Sequence, residues 1–329
     1  MKFNYYFCKS KIAAIVLGTL ASIALLSSCA AETPYSETAF ALNTACTITV
    51  GEADDSAAAI GGAFEIVYDI QSKIDYYDPN SVVSKFNSAP AWEAVELDAD
   101  TFEIVRTALE VSRASGGAFD ITVAPVKDLW DFKSAAPVLP DSYDTGSALS
   151  YVGYEKLIFD TEARTLTKTE DGVKIDLGGC GKGYSCQKAA EYISENYPEC
   201  YAILDFGGNV SVYGKNPRSS DGAFTAGIQE PFEAGGSYNQ TVRLSSGESI
   251  VTSGIYQQYF ESDGEIYHHI IDPSTGMPSR SGTASVSVIH QSSLTADCLS
   301  TACLVLGKER GTALAQEFGA QTIWIDLEE

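Results

Sequence analysis

Basic residues are scarce in this chain. Lysine and arginine together number 21 against 44 aspartates and glutamates, for a net charge of −23. No basic patch is visible, and this excludes a nucleic-acid partner, whose binding depends on neutralising phosphates. Cysteines at metal-binding spacing are also lacking. The eight cysteines include no CxxC pair, and Cys180 and Cys186, which flank a glycine cluster, lack the further ligands of a zinc site. Cys46, Cys180, Cys186, Cys200, Cys298 and Cys303 are scattered and read as small buried thiols, not as a disulfide framework. Signature loops are missing too: there is no GxxxxGK[ST], no dinucleotide GxGxxG and no GxSxG elbow. No internal repeat or low-complexity tract follows the first thirty or so residues.

Those first residues read as an export signal. Lys2, Lys9 and Lys11 form a basic start, and the apolar run from Ile12 to Leu26 is too short and too early for a stable span. It ends in Leu26-Ser27-Ser28-Cys29. Small residues before a cysteine resemble a bacterial lipobox, in which Cys29 is lipidated and becomes the first residue of the mature chain. An ordinary cleaved signal with a chance cysteine is the plainer alternative. The expected division is a signal at 1–28, a tether at 29–38 and a remainder at 39–329 long enough for one large domain, the reading taken, or two intimate ones.

Chemistry concentrates between Tyr267 and Gly307. YHHIIDPSTGMP carries two histidines and a turn at Asp272–Gly276. A strand-like ASVSVIH follows, and LTADCLSTACLVLG reads as an apolar helix. Asp297 and Thr301 stand four apart and so share a helical face, with Leu299, Cys303 and Leu306 roughly opposite. A carboxylate beside a hydroxyl is a hard-oxygen pair suited to Mg²⁺. The alternative is simple capping, with Ser293 or Thr295 at the helix start and Asp297 complementing the dipole.

Upstream, FALNTACTITV ends as a strand. Asp54 to Ile74 has helical spacing, with Ile60, Phe64, Val67 and Ile70 on one face. Tyr76 and Tyr77 sit in a turn, either as packing or as a stacking surface for a planar ligand. Thr101 to Ser115 reads as an amphipathic helix closed by Gly116-Gly117. GAFDITVAPVKDLWDF reads as extended, and Asp120 inside its apolar run needs donors or a partner. KIDLGGCGKGY reads as a strand (Val173 to Leu177), a glycine cluster and a helix running to Tyr197. That order brings bare backbone N–H groups to phosphate oxygens at a helix N-terminus, and Lys182 adds a charge. AILDFGGNVSV reads as strand, turn, strand, and Thr252 and Ser253 read as hydrogen-bonding groups.

Taken together, GAFDITVAPVKDLW, KIDLGGCGKGY, LDFGGNV, VTSGIYQQYF, YHHIIDPSTGMP and TADCLSTACLVLG, with LNT near Leu42 and YYDPNSVVSKFN near Tyr77, resemble the ApbE family of flavin transferases. They run in family order over nearly all of the mature chain. The resemblance implies an α+β fold of mixed, largely antiparallel sheets with packed helices. It implies an FAD:protein FMN transferase: with Mg²⁺, a Thr or Ser hydroxyl of a target flavoprotein attacks the FMN phosphorus of FAD, and AMP leaves. By motif it implies metal ligands at Gly179, Asp297 and Thr301. It implies FAD contacts at Leu42, Tyr77, Ala118, Phe119, Asp120, Asp176, Lys182 and Ile271. His269 is the implied base or phosphate contact, and His268 a structural neighbour. Where some members carry a second Asp, this chain has Ser300. The implied partners are FAD, an exported flavoprotein acceptor and, through a lipid on Cys29, the extracytoplasmic face of the bacterial cell membrane. Hydrolysis of FAD to FMN and AMP, or flavin binding without catalysis, are the alternatives.

Overall fold

The computed structural model describes residues 33–51, 55–130, 132, 137–233 and 237–327. The predicted export signal, Cys29 and the first four residues of the predicted tether, 29–32, lie outside them. Strand β1 (Tyr35–Ala41) starts inside the stretch read as a tether and forms a hairpin with β2 (Thr44–Gly51). The turn residues Leu42 and Asn43 both take positive φ, 52° and 59°, which suits a tight two-residue hairpin.

Helices α1 (Ser56–Ile74) and α2 (Val82–Ser88) follow, then the short β3 (Val95–Glu96) and α3 (Ala99–Ser115). The buried face of α1 is Ala59, Ile60, Ala63, Phe64, Val67, Ile70 and Ile74, the three-and-four spacing of one helical stripe. Asp98 caps α3 by accepting from the backbone N–H groups of Asp100 and Thr101, and Gly116 ends it at φ 64°. A 3₁₀ turn at Ile121–Val123 leads into α4 (Ala124–Lys127), so GAFDITVAPVKDLWDF is not the extended segment expected. Asp120 starts the turn by accepting from the Thr122 N–H at 2.8 Å. α5 (Ser142–Leu149) comes next, and β4 (Leu157–Asp160) and β5 (Thr165–Lys168) complete a small sheet with β3.

α6 (Gly181–Asn196) precedes the central strands β6 (Tyr201–Phe206) and β7 (Asn209–Tyr213), which turn at Gly207-Gly208. The hairpin of β8 (Phe224–Gln229) and β9 (Tyr238–Leu244) leads to β10 (Ser249–Gly254). β11 (Tyr259–Ser262) pairs with β12 (Glu265–His268), and β13 (Ile271–Asp272) with β14 (Met277–Pro278). The chain continues through β15 (Thr283–His290), α7 (Ser293–Leu306), α8 (Lys308–Glu317) and β16 (Gln321–Asp326).

The main sheet has seven strands in the order β1-β2-β6-β7-β10-β15-β16, and each of its ladders is antiparallel. With its helices this is the α+β architecture expected. On one face, Val251, Val286 and Val288 join Leu294, Ala296, Leu299 and Ala302 of α7 in the largest core. On the other, Ile250 and Ile289 pack with Phe224, Ile228 and Leu244 under the β8–β9 hairpin. The six cysteines among the described residues are all buried and free, as the spacing suggested.

α6 and α7 cross very closely. A Cβ on Gly183 would lie 2.4 Å from the Ser293 carbonyl oxygen and 2.6 Å from Cβ of Asp297. A Cβ on Gly181 would meet only the tip of Ile74, at 2.5 Å. Backbone cannot step aside as a side-chain tip can. Gly183→Ala should therefore cost about 2–3 kcal/mol in urea unfolding and Gly181→Ala clearly less; equal midpoints for the two variants would contradict this packing.

Candidate active site

α7 begins at Ser292, whose hydroxyl accepts from the Thr295 N–H at 3.2 Å. The cap is thus neither Ser293 nor Thr295, the two expected, but the residue before them, and Asp297 falls in the second turn, away from the dipole end. It does not face solvent: Asp297 is 3% exposed. Its Oδ2 accepts the Gly183 N–H at 2.8 Å. The charge of Lys182 and the neighbouring Asn209 amide also favour its ionised form, yet burial prevails and its pKa is raised. Asn209 is itself buried, with an Nδ2 that no hydrogen bond engages.

One turn on, Thr301 is half-buried and its Oγ1 lies 3.5 Å from Oγ of Ser253. Ser253 shares a 2.8 Å hydrogen bond with Ser300, whose hydroxyl also donates to the Asp297 carbonyl at 2.9 Å. Ser300 is fully buried, and its hydroxyl ties α7 to β10. Thr252 points to the other sheet face and bonds Ser287 at 2.7 Å.

Opposite α7 lies the glycine loop. The N–H groups of Cys180 and Gly181 both point back to the Leu177 carbonyl, at 3.1 and 2.7 Å, which makes a tight turn into α6. Gly179 packs on the ring of Phe119, where a Cβ would lie 3.2 Å from Cε2. The free thiol of Cys180 neighbours that of Cys298, and burial, with this second thiol, holds the Cys298 pKa high. Asp176 accepts the Gly178 N–H at 2.7 Å and forms an ion pair with Lys127. The Lys127 ammonium also sits over the Tyr76 ring, 5.4 Å from its centre. Tyr77 stands edge-on to Tyr76 and is 73% exposed. An open tyrosine face beside a lysine suits a flat ligand.

His269 closes the group. Its backbone N–H donates to the Gln258 carbonyl at 3.0 Å, and its Nδ1 lies 3.3 Å from the same oxygen. A carbonyl can only accept, so Nδ1 carries the proton and Nε2 is left with a free lone pair. Burial, opposed by this bond and reinforced by the charges of His268, Lys182 and Lys127, holds the pKa of His269 down to about 4. The field of Lys182 thus reaches both Asp297 and His269. Tyr77, Asp176, Lys182, His269, Asp297 and Thr301 form one neighbourhood built from distant segments.

The other expected flavin contacts are placed differently. Leu42 is half-buried at the β1–β2 turn, its N–H donating to Oε1 of Gln71 at 2.6 Å. Ala118 is half-buried and Phe119 buried beneath the glycine loop. Asp120 is buried, and its second oxygen accepts the Tyr154 N–H at 2.7 Å, so both oxygens are committed to the fold. The side chain of Ile271 packs with Val126 and Trp130. Lys127, Gln258 and Asn209 were missed by sequence reasoning. The first two act through an ion pair and a carbonyl that no motif reveals, whereas the GGN run did carry Asn209 in plain sight.

A buried carboxylate at a glycine-opened helix start, with the charge of Lys182 reaching both it and His269, is an arrangement able to hold phosphate oxygens. The ApbE family model matches residues 42–324. The chain belongs to the ApbE family. It is 32% identical over 254 residues to the FAD:protein FMN transferase of Vibrio cholerae, covering 76% of this chain and 74% of the relative. It is 28% identical over 306 residues to that of Treponema pallidum, covering 88% and 84%. The crystal structure of the ApbE protein of Thermotoga maritima aligns with TM-score 0.81 at 32% identity, over 89% of this chain and 94% of that one. The Pseudomonas stutzeri flavinyl transferase ApbE aligns with TM-score 0.77 at 28% identity, over 91% and 92%.

His268 is structural. Its ring is 2% exposed, with Nε2 2.9 Å from the Ser279 carbonyl and Nδ1 accepting the Ile270 N–H at 3.3 Å. A second proton would face that N–H, and burial lowers the pKa to about 4. The unfolded ring titrates near 6.5, so the unfolded state gains the proton first as pH falls. The contribution of His268 is full above about pH 6.5 and is lost on the way down to about pH 4. The stability advantage of the wild type over His268→Gln should shrink by about 2 kcal/mol between pH 7 and pH 5. Urea midpoints at the two pH values check this, and a constant difference would refute the assignment.

Proposed function

We propose that this chain transfers FMN from FAD to a Thr or Ser hydroxyl of a target flavoprotein, with Mg²⁺, releasing AMP. The observation that carries the proposal is the buried Asp297 carboxylate, bound by the Gly183 N–H at the start of a glycine-opened helix and lying in the field of Lys182, which also reaches His269. A divalent cation fits this donor set. Asp297 is buried without an ion-pair partner among the described residues, and Thr301 and the backbone of Gly179 add hard oxygens. Among the described residues no group of three or more His, Cys, Asp and Glu could hold a metal. One carboxylate with neutral oxygens suits Mg²⁺, which retains waters and takes phosphate oxygens as its remaining ligands. When bound, Mg²⁺ would neutralise pyrophosphate charge and favour the departure of AMP.

The chain's own residues supply the rest. Tyr77 offers an open aromatic face, and Lys182 with the N–H groups of the glycine loop meets phosphate oxygens. Nε2 of His269 accepts the proton of the incoming hydroxyl, whose oxygen bonds to the FMN phosphorus as the bond to the AMP phosphate breaks. The negative pyrophosphate opposes the fields of Lys182 and Lys127, which raises the His269 pKa in the complex. Transfer needs the unprotonated ring, so the rate falls as pH drops through that pKa. The acid limb of kcat/KM should lie near pH 4 and that of kcat at higher pH, because the two report the free and the substrate-bound enzyme. Coincident limbs, or an unchanged profile in His269→Gln, would remove His269 from this role.

The direct test incubates the chain with FAD, Mg²⁺ and an exported FMN-binding domain, then reads the intact mass of the acceptor. A gain of one FMN, abolished by EDTA and by Asp297→Asn, is the expected result. Free FMN and AMP without acceptor labelling would indicate hydrolysis, and bound FAD without turnover a binding protein. Mg²⁺ should also raise the melting temperature of the wild type but not of Asp297→Asn. We further propose that Cys29 is lipidated and holds the enzyme at the extracytoplasmic membrane face, a reading supported by the lipobox-like sequence alone. Release of Cys29→Ala from the membrane fraction is the expected outcome.

A further inference from the structure

Residues 173–177 alternate as a strand does, with Val173, Ile175 and Leu177 buried and Lys174 and Asp176 half-buried. The expected strand does not form there, for the segment joins none of the sheets. Its backbone groups find other partners. The side-chain amide of Asn87 grips Ile175 from both sides: Nδ2 donates to the Ile175 carbonyl at 2.9 Å, and Oδ1 accepts the Ile175 N–H at 2.8 Å. The Lys168 ammonium donates to the carbonyls of Val173 and Asn87, at 3.1 and 2.9 Å. The Asp176 N–H donates to the Ile121 carbonyl at 2.8 Å.

A carboxamide carries one donor face and one acceptor face, as a peptide group does. Asn87 therefore does the work of a neighbouring strand at a single residue. Lys168 is the costlier part of this arrangement. It is 2% exposed, its hydrogen-bond acceptors are those two carbonyls, and its ammonium lies 5.5 Å from the centre of the Phe86 ring. A buried cation without a carboxylate is unfavourable unless its donors are satisfied. Here it ties the last turn of α2 to the start of the segment, so the grip of Asn87 is itself held in place.

Two residues beyond this clamp the backbone turns into the glycine loop. We propose that Asn87 and Lys168 are positioning residues for flavin transfer, which substitute for a strand partner and fix the loop that presents Asp176 and Gly179 to the pyrophosphate and its metal. The proposal rests on the reading of the site given above. It accounts for a strand-like sequence outside any sheet and for a lysine buried far from any use in the chemistry. Neither residue touches substrate; each acts through the backbone of 173–179.

Hydrogen exchange of the unaltered full chain tests the clamp first. The Ile175 amide should be protected to the degree of Val251 in the central sheet; exchange as fast as in open loops would overturn the proposal without any variant. Asn87→Asp keeps the shape and the acceptor but turns an oxygen toward the Ile175 carbonyl, and Lys168→Met keeps the stem without the donor. In both, Kd and KM for FAD should rise about tenfold, the value of one hydrogen bond, while kcat at saturating FAD changes little. In Asn87→Asp, exchange at Ile175 should quicken while Val251 stays protected. A folded Asn87→Asp with unchanged Kd for FAD would refute the positioning role while Asp297→Asn still abolished transfer. Full transfer by Asp297→Asn would instead refute the site reading on which the role rests.

Discussion

The hydrogen bond from the Gly183 N–H to the Asp297 carboxylate joins the two halves of the site. It forms only because α6 and α7 approach until backbone meets side chain, and only a residue without Cβ permits that approach. The consequences spread from there. A carboxylate held in so dry a place loses hydration, and burial raises its pKa. It therefore calls for positive charge. Lys182 supplies a field from the same helix start, and the remaining demand makes the spot suited to a divalent ion. Packing, electrostatics and chemistry share one contact.

Around it the polar groups divide by task. Those at the mouth, Tyr77 and His269, keep accessible surface. Those behind are consumed by backbone. Asp120 takes three donors from Thr122 and Tyr154, and the Trp130 indole donates to the Gly276 carbonyl at 2.9 Å, which ties the loop after α4 to the turn after β13. With free cysteines throughout the described chain, such side-chain-to-backbone bonds, and not disulfides, hold these loops.

Much of this was legible from local rules. The helix of residues 56–74, the glycine end of α3, the double-glycine turn and the long strand before α7 all follow from spacing and turn chemistry. The errors share a physical cause. Residues 173–177 alternate as a strand does, but alternation reports which side is buried and not what the backbone bonds to. Residues 121–127 carry β-branched side chains, yet Asp120 captured the following N–H and wound the chain into a turn. That Asp120 needs donors was legible from its apolar run, but part of them lie in Tyr154, thirty-four residues on. His269 and Asp297 could be named from motif, but their protonation states depend on Lys127, Lys182 and Gln258, which meet only in three dimensions.

The donor and acceptor of the central hydrogen bond are 114 residues apart. A chain that emerges from its amino end therefore completes the glycine loop long before the carboxylate exists. Until α7 arrives, the Gly183 N–H lacks its carboxylate acceptor. The site is thus incomplete while the chain is being made, because a segment near the carboxyl end supplies its carboxylate.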